Sequence, residues 1–202
     1  MASDFHTHDP DPAHRALISS TAPLPGKLTS LEVHPWHLPE TFSPDLLRRA
    51  EELLDQFAAL GEIGLDRMRG PSLPVQEQYL HRLLALAADA GKPVVIHAVR
   101  TLPEVLAVTA KYPVRVMIHG FRSSAELLDE LWKREITVSF HPSATDRPAL
   151  MGRLKHAAGR FGFESDDRKI SLPELLARAA EKSGIKDMEQ LTDQHFADFL
   201  EK

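Results

Sequence analysis

Pro93-Val94-Val95-Ile96-His97 and Val116-Met117-Ile118-His119 decide how this chain is to be read. Each is an unbroken apolar run, the pattern of a strand buried on both faces of a parallel sheet, and each ends in a histidine. A single histidine after such a run is more often a hydrogen-bonded core or turn residue than a ligand. Two of them in successive strands, both at the carboxyl end where barrel enzymes place their active sites, favour a functional reading.

Similar runs recur in both directions. With Pro93–Val99 and Val114–Gly120, the segments Ala2–Thr7, Arg15–Ser20, Lys27–His34, Leu60–Asp66, Ile136–His141 and Arg160–Asp166 make eight candidate strands. Amphipathic stretches lie between them. Pro44–Leu60 and Leu73–Ala90 carry leucine and alanine at helical spacing, the second running into the stop signal Gly91-Lys92-Pro93. Leu102–Tyr112, Ser123–Arg134, Arg147–Ala158, Leu172–Ser183 and Lys186–Leu200 read as further helices, with Ser123 and Glu126 in capping-box order. This alternation predicts an α/β fold, a compact or distorted (β/α)8 TIM barrel forming one domain over residues 1–202. The chain is shorter than the roughly 250 residues usual for that fold. The economy falls at the start, where residues 8–14 and 21–26 are too short for helical crossovers of about a dozen residues. The barrel is therefore expected to lack its first outer helices, which leaves the second strand free to run antiparallel.

Composition narrows the chemistry. Of 202 residues, 43% are apolar and 26% charged, ordinary for a soluble globular domain. A net charge of −5 excludes a broad cationic field, and with it an extended duplex-binding surface. The absence of cysteine excludes disulfides, thiolate metal sites and a cysteine nucleophile, so any metal must sit among nitrogen and oxygen ligands. Neither a signal sequence nor a membrane-spanning apolar run is legible, so a cytoplasmic location is expected, with no membrane partner.

In Asp4-Phe5-His6-Thr7-His8 the period of two puts Asp4, His6 and His8 on one face of an extended segment. The same period aligns Glu62, Gly64 and Asp66 within Gly61–Asp66, and a carboxylate can bridge two cations. Asp166 closes the run Phe161-Gly162-Phe163-Glu164-Ser165-Asp166. Together His6, His8, Glu62, His97, His119 and Asp166 form a nitrogen-and-carboxylate set suited to Zn²⁺ or Mn²⁺ better than Ca²⁺.

Seven stretches resemble the TatD family of metal-dependent hydrolases, barrel enzymes of the amidohydrolase superfamily often described as deoxyribonucleases: DFHTH at Asp4–His8, VHPWH at Val33–His37, GEIGLD at Gly61–Asp66, the glutamine-led helix Gln76–Ala87, KPVVIH at Lys92–His97, IHGF at Ile118–Phe121 and FESD at Phe163–Asp166. The resemblance implies two divalent ions (Zn, Mn or Mg), one held by His6, His8, Glu62 and Asp166 and the other by Glu62, His97 and His119. Glu62 would be the bridge, and Asp166 would accept the proton of the attacking water. The chain departs from the family where substrate is expected. Where the family commonly has Gly-Ile-His-Pro-His, this chain has Glu32-Val33-His34-Pro35-Trp36, so His34 matches and the second histidine moves to His37. The usual His-x-Arg becomes His97-Ala98-Val99-Arg100, and the His-Cys-Phe-Ser-Gly loop becomes His119-Gly120-Phe121-Arg122-Ser123. Asp167-Arg168-Lys169 replaces a small residue and proline after Asp166. His34, Asp66, Arg67, Arg100 and Arg122 are the candidate substrate contacts, each arginine as a phosphate clamp or a solvated surface charge. His141 reads either as a residue facing the barrel mouth or as a hydrogen-bonding loop residue.

The expected activity is hydrolysis of a small phosphate ester or a nucleic-acid end by a water that two metal ions activate. Hydrolysis of an amide, ester or lactone is the alternative, because related barrels use the same chemistry on carbonyl carbon. A non-catalytic barrel stabilised by metal is the third reading, disfavoured because structural sites usually close with four ligands.

Overall fold

A computed structural model describes residues 2–156 and 159–201. Eight strands hydrogen-bond in chain order in one sheet: β1 (Ser3–Thr7), β2 (Arg15–Ser20), β3 (Leu28–Leu31), β4 (Ala59–Asp66), β5 (Val94–Val99), β6 (Val116–Phe121), β7 (Thr137–Phe140) and β8 (Phe161–Phe163). Helices α1 (Pro44–Leu54), α2 (Leu73–Asp89), α3 (Leu102–Thr109), α4 (Ala125–Lys133) and α5 (Pro148–Leu154) fall between strands from β3 onward, and α6 (Leu172–Ser183) and α7 (Met188–Glu201) follow β8. The fold is a (β/α)8 barrel without helices in its first two crossovers. Its residues group into two compact units, a terminal unit of Met1–Ile18 with Met117–Lys202 and a central unit of Ser19–Val116.

In the terminal unit β1 and β2 run parallel, Ser3 opposite Arg15 and Thr7 opposite Ile18, which corrects the antiparallel option. A helix is not needed to return the chain: seven extended residues reach about 23 Å, and a five-residue strand is only roughly 17 Å long. The link is pinned by Asp4, fully buried, whose Oδ1 accepts the amides of His6 (3.2 Å) and Ser165 (3.1 Å) while Oδ2 lies 3.3 Å from His14 Nε2. Beyond β8, Asp166 pairs with β1: its amide donates to the His6 carbonyl at 3.1 Å, and its own carbonyl accepts from His8 N–H at 3.0 Å. The unit's core is aromatic. Phe5, Phe140, Phe161, Phe163, Phe196 and Phe199 are buried, Phe5 meeting Phe196 edge-on at 5.3 Å between centroids. Each such side chain contributes roughly 1.5–3 kcal/mol. Ser124, not Ser123, caps α4, its Oγ accepting the Leu127 amide at 3.2 Å. The helix expected over Arg147–Ala158 forms from Pro148 to Leu154, and its final two positions lie outside the described residues.

In the central unit β3, β4 and β5 are parallel neighbours. All eight residues of β4 are buried, and α2 turns Tyr79, Leu80, Leu83 and Leu84 inward. The apolar pattern that suggests a helix over Pro44–Leu60 splits at Leu54. Its last two residues open β4, because Leu60 donates its amide to Pro93 O beside β5 (2.9 Å). Gly64, at φ 146°, lies so close to the His97 carbonyl that a Cβ would collide with it. Among the described residues no helix is long and apolar enough to cross a membrane.

Candidate active site

Each unit gathers candidate ligands on its strands or in the residues just beyond them. In the terminal unit His6, His8 and Asp166 present ligand atoms within 4.8 Å of one another. Asp166 Oδ1 lies 3.8 Å from both His6 Nε2 and His8 Nε2, and the two rings meet at right angles with centroids 5.0 Å apart. His6 is buried and His8 is partly open to solvent, so the cluster has a dry side and a wet side. The His119 ring lies 4.6 Å from that of His6, and its Nδ1 is 3.5 Å from Oε1 of Glu164. Glu164 is fully buried and also accepts the Gly120 amide at 2.8 Å. Burial alone would raise its carboxyl, but His119 and His6 beside it outweigh that and hold it below the usual carboxylate range. A cavity of about 860 Å³ borders this cluster, walled by residues 7–10, 12–14 and 165–173.

In the central unit His34, Glu62 and His97 converge within the same 4.8 Å limit, all three buried. Hydrogen bonds fix both imidazoles. His34 Nδ1 accepts the Trp36 amide at 3.1 Å, so the neutral ring carries its proton on Nε2, 3.5 Å from Glu62 Oε2. His97 Nε2 lies 3.0 Å from Asp66 Oδ2. Asp66 also receives the Trp36 indole at 2.5 Å and the amides of Met68 (2.7 Å) and Arg69 (3.2 Å). Burial would raise the Asp66 carboxyl, but Trp36, His97 and the Met68 amide together lower it, so the group is ionised and accepts a hydrogen bond from His97 Nε2–H. His97 Nδ1 faces Glu62 Oε2 at 3.3 Å.

A nitrogen and a carboxylate oxygen at this distance are joined either by a proton or by a cation. Ligands at about 2.0–2.1 Å from one ion, at a tetrahedral angle, sit about 3.3–3.4 Å apart. The donor set therefore fits a divalent ion, and the Asp66–His97 pair is the carboxylate–histidine arrangement that orients a metal-binding imidazole.

The candidate substrate contacts fall in different settings. Asp66 is committed to its own chain. Arg67 pairs with Glu104, and its Nε donates to the Arg100 carbonyl at 3.1 Å. Arg100 is exposed, with φ 55°. Arg122 sits beside His141, NH1 to Nε2 being 3.4 Å. Three contributors escaped the sequence reading. Glu164 carried a usable signal, because it stands two residues before Asp166 and so shares its face. Trp36, whose ring stacks under the Arg69 guanidinium at 4.4 Å, and Gln76, which clasps Asp66, lie in stretches that resemble the family, but nothing local in those stretches points to Asp66.

A (β/α)8 barrel with imidazole and carboxylate clusters at its strand ends defines a class of hydrolases. The model of the TatD related DNase family matches residues 11–158. The chain is similar to the structure of YJJV, a TatD homolog from Escherichia coli K12, at 17% identity and a TM-score of 0.81, over 100% of this chain and 98% of that one. It is similar also to a TatD family hydrolase from Entamoeba histolytica (13% identity, TM-score 0.73, 98% and 96% covered) and to an uncharacterized amidohydrolase from Saccharomyces cerevisiae (11%, 0.55, 77% and 68%). No curated protein matches it in sequence. The chain belongs to the TatD family, and is a hydrolase of that family.

Proposed function

We propose that this hydrolase cleaves phosphate esters with water. Its ligands are His6, His8 and Asp166 for one divalent ion and His97 and His119 for a second, with Glu62 serving both as the family resemblance implies. The observation that carries the reading is the convergence of the buried groups His34, Glu62 and His97, with His97 Nδ1 3.3 Å from Glu62 Oε2 and Asp66 3.0 Å behind its Nε2. Bound ions of this kind supply an acidified water and positive charge for phosphoryl oxygens. The remaining work belongs to the chain. Asp166, half open to solvent beside the cavity, accepts the water's proton through its carboxylate. His34 Nε2–H steadies Glu62, and Asp66 keeps the proton of His97 on Nε2. A net charge of −5 favours a small ester or a nucleic-acid end over a long duplex tract.

Metal content of the purified protein, measured together with turnover on a phosphomonoester, a phosphodiester, a carboxylic ester, an amide and a lactone, tests the reading. Phosphate ester hydrolysis that stops on chelation and returns with Zn²⁺ or Mn²⁺ is expected. Turnover that survives complete metal removal, or that is confined to the carbonyl substrates, overturns it.

A further inference from the structure

His141 and Arg122 are arranged as donors with nothing of their own to accept between them. The amide of Ser143 donates to His141 Nδ1 at 3.1 Å, and the Ser143 hydroxyl lies 2.8 Å from the same atom. A backbone N–H can only donate, so Nδ1 is the acceptor and the neutral ring carries its proton on Nε2. Nε2 faces NH1 of Arg122 at 3.4 Å, which sets one N–H against another. Burial first, and then the charges of Arg122 and Arg168, lower the affinity of this imidazole for a second proton, so it stays neutral. The backbone of Arg122 is held by Arg147, whose guanidinium donates to the Arg122 carbonyl. Arg168, whose charge reaches the same ring, lines the 860 Å³ cavity together with His8 and Asp166. Two facing N–H donors, with the charge of a second arginine reaching them, ask for an acceptor that is anionic and has several free oxygens.

We infer that Arg122 and His141 form a seat for a terminal phosphate group, and that the substrate is a phosphomonoester. A monoester phosphate has three free oxygens and a dianionic form, enough to serve this seat and the candidate ligands of Asp166's cluster together. An internal diester phosphate has only two. The substrate claim rests on the hydrolase reading; phosphate binding at the pair does not.

Inorganic phosphate titrated into chelator-treated protein, followed by calorimetry, reads the seat without any metal. Saturable binding is expected, weakened at least about tenfold by Arg122→Ala and by His141→Ala. His141→Gln, which keeps an N–H near the Nε2 position, should recover much of it, and Arg122→Lys, which keeps the charge, guards against a misfolded variant. In the metal-loaded enzyme Arg122→Ala should raise KM for p-nitrophenyl phosphate more than KM for bis(p-nitrophenyl) phosphate. Phosphate binding that is absent in the wild type, or equal in wild type and both alanine variants, overturns the seat. An unchanged ratio of the two KM values overturns the substrate claim. Phosphate binding that depends on the pair in a protein that hydrolyses neither ester would leave the seat standing and remove the hydrolase reading instead.

Discussion

Gln76 clasps the backbone of Asp66 from both sides: its Oε1 accepts the Asp66 amide at 2.7 Å, and its Nε2 donates to the Asp66 carbonyl at 3.0 Å. The same Nε2 donates to the carbonyls of Arg69 (3.1 Å) and Pro71 (2.7 Å), so one buried amide from α2 shapes the whole turn after β4. Gln76→Leu strands these groups away from water, at a cost of about 1–3 kcal/mol for each one left unpaired. Gln76→Glu should cost more, because it sets a carboxylate against three carbonyl oxygens. Urea unfolding should rank wild type above Gln76→Leu and Gln76→Leu above Gln76→Glu; equal midpoints would mean that the turn holds itself.

The turn matters because it aims Asp66 at His97. Removing that carboxylate frees the imidazole to turn and to change tautomer, and it leaves the Trp36 indole without its acceptor. Loss of such an orienting partner lowers metal affinity roughly ten- to a hundredfold. Asp66→Ala should therefore weaken Zn²⁺ or Mn²⁺ binding by that factor in a direct titration, with Asp66→Asn in between. If Asp66 instead touches substrate, KM would rise while metal affinity stayed as in the wild type.

Strands β5 and β6 were legible because apolar runs buried on both faces admit few other readings, and His97 and His119 came with them, while period two within Gly61–Asp66 gave Glu62 in β4. Period two within such runs also gave the His6–His8 pair. The parallel course of β2 was not legible, since whether an extended link crosses the sheet depends on where Asp4 can anchor it, a contact between β1, β8 and the loop residue His14. The partners of Asp66 were hidden for a similar reason. Trp36 reaches it from a single 3-10 turn, Pro35–His37, whose direction no local pattern encodes. The arginines divide on the same principle: Arg67 is spent on Glu104, a residue brought to it by α3, and nothing near Arg67 in sequence announces that pairing.

Away from the site, His195 on α7 makes the terminal unit sensitive to mild acid. Its Nδ1 lies 3.0 Å from the Phe161 carbonyl and Asp198 is near, both favouring the protonated ring, but burial, aided by Arg160, outweighs them and lowers its pKa below the ordinary 6.5. The unfolded chain therefore takes up this proton at a pH where the folded one does not. The stabilisation is complete above about pH 6.5 and declines as the pH falls from there toward the folded value, with a slope of up to about 1.4 kcal/mol per pH unit for one proton. His195→Gln removes that dependence. The difference in urea midpoint between wild type and variant should shrink, or reverse, between about pH 7.5 and 5; a constant difference would mean that the ring already titrates as it does in the unfolded chain.

Gly64 sets how closely β4 and β5 can approach where His97 leaves the sheet. Its φ of 146° is one that side chains rarely adopt, and a Cβ there would run into the backbone of His97. Backbone cannot swing aside as a flexible side chain can, so Gly64→Ala must separate the strands at the residue pair Gly64 and His97, which are register partners. Overpacking of this kind costs about 1–3 kcal/mol, and the strained dihedral adds about 1–3 kcal/mol more. The displacement falls on the imidazole that faces Glu62, so metal affinity should drop along with the melting temperature. Ala98→Gly, on the same strand one residue further on, provides the contrast: it loosens β5 without pushing it away from β4. Loss of metal in Gly64→Ala but not in Ala98→Gly would trace the defect to strand separation, whereas equal loss in both would assign it to general weakening of β5.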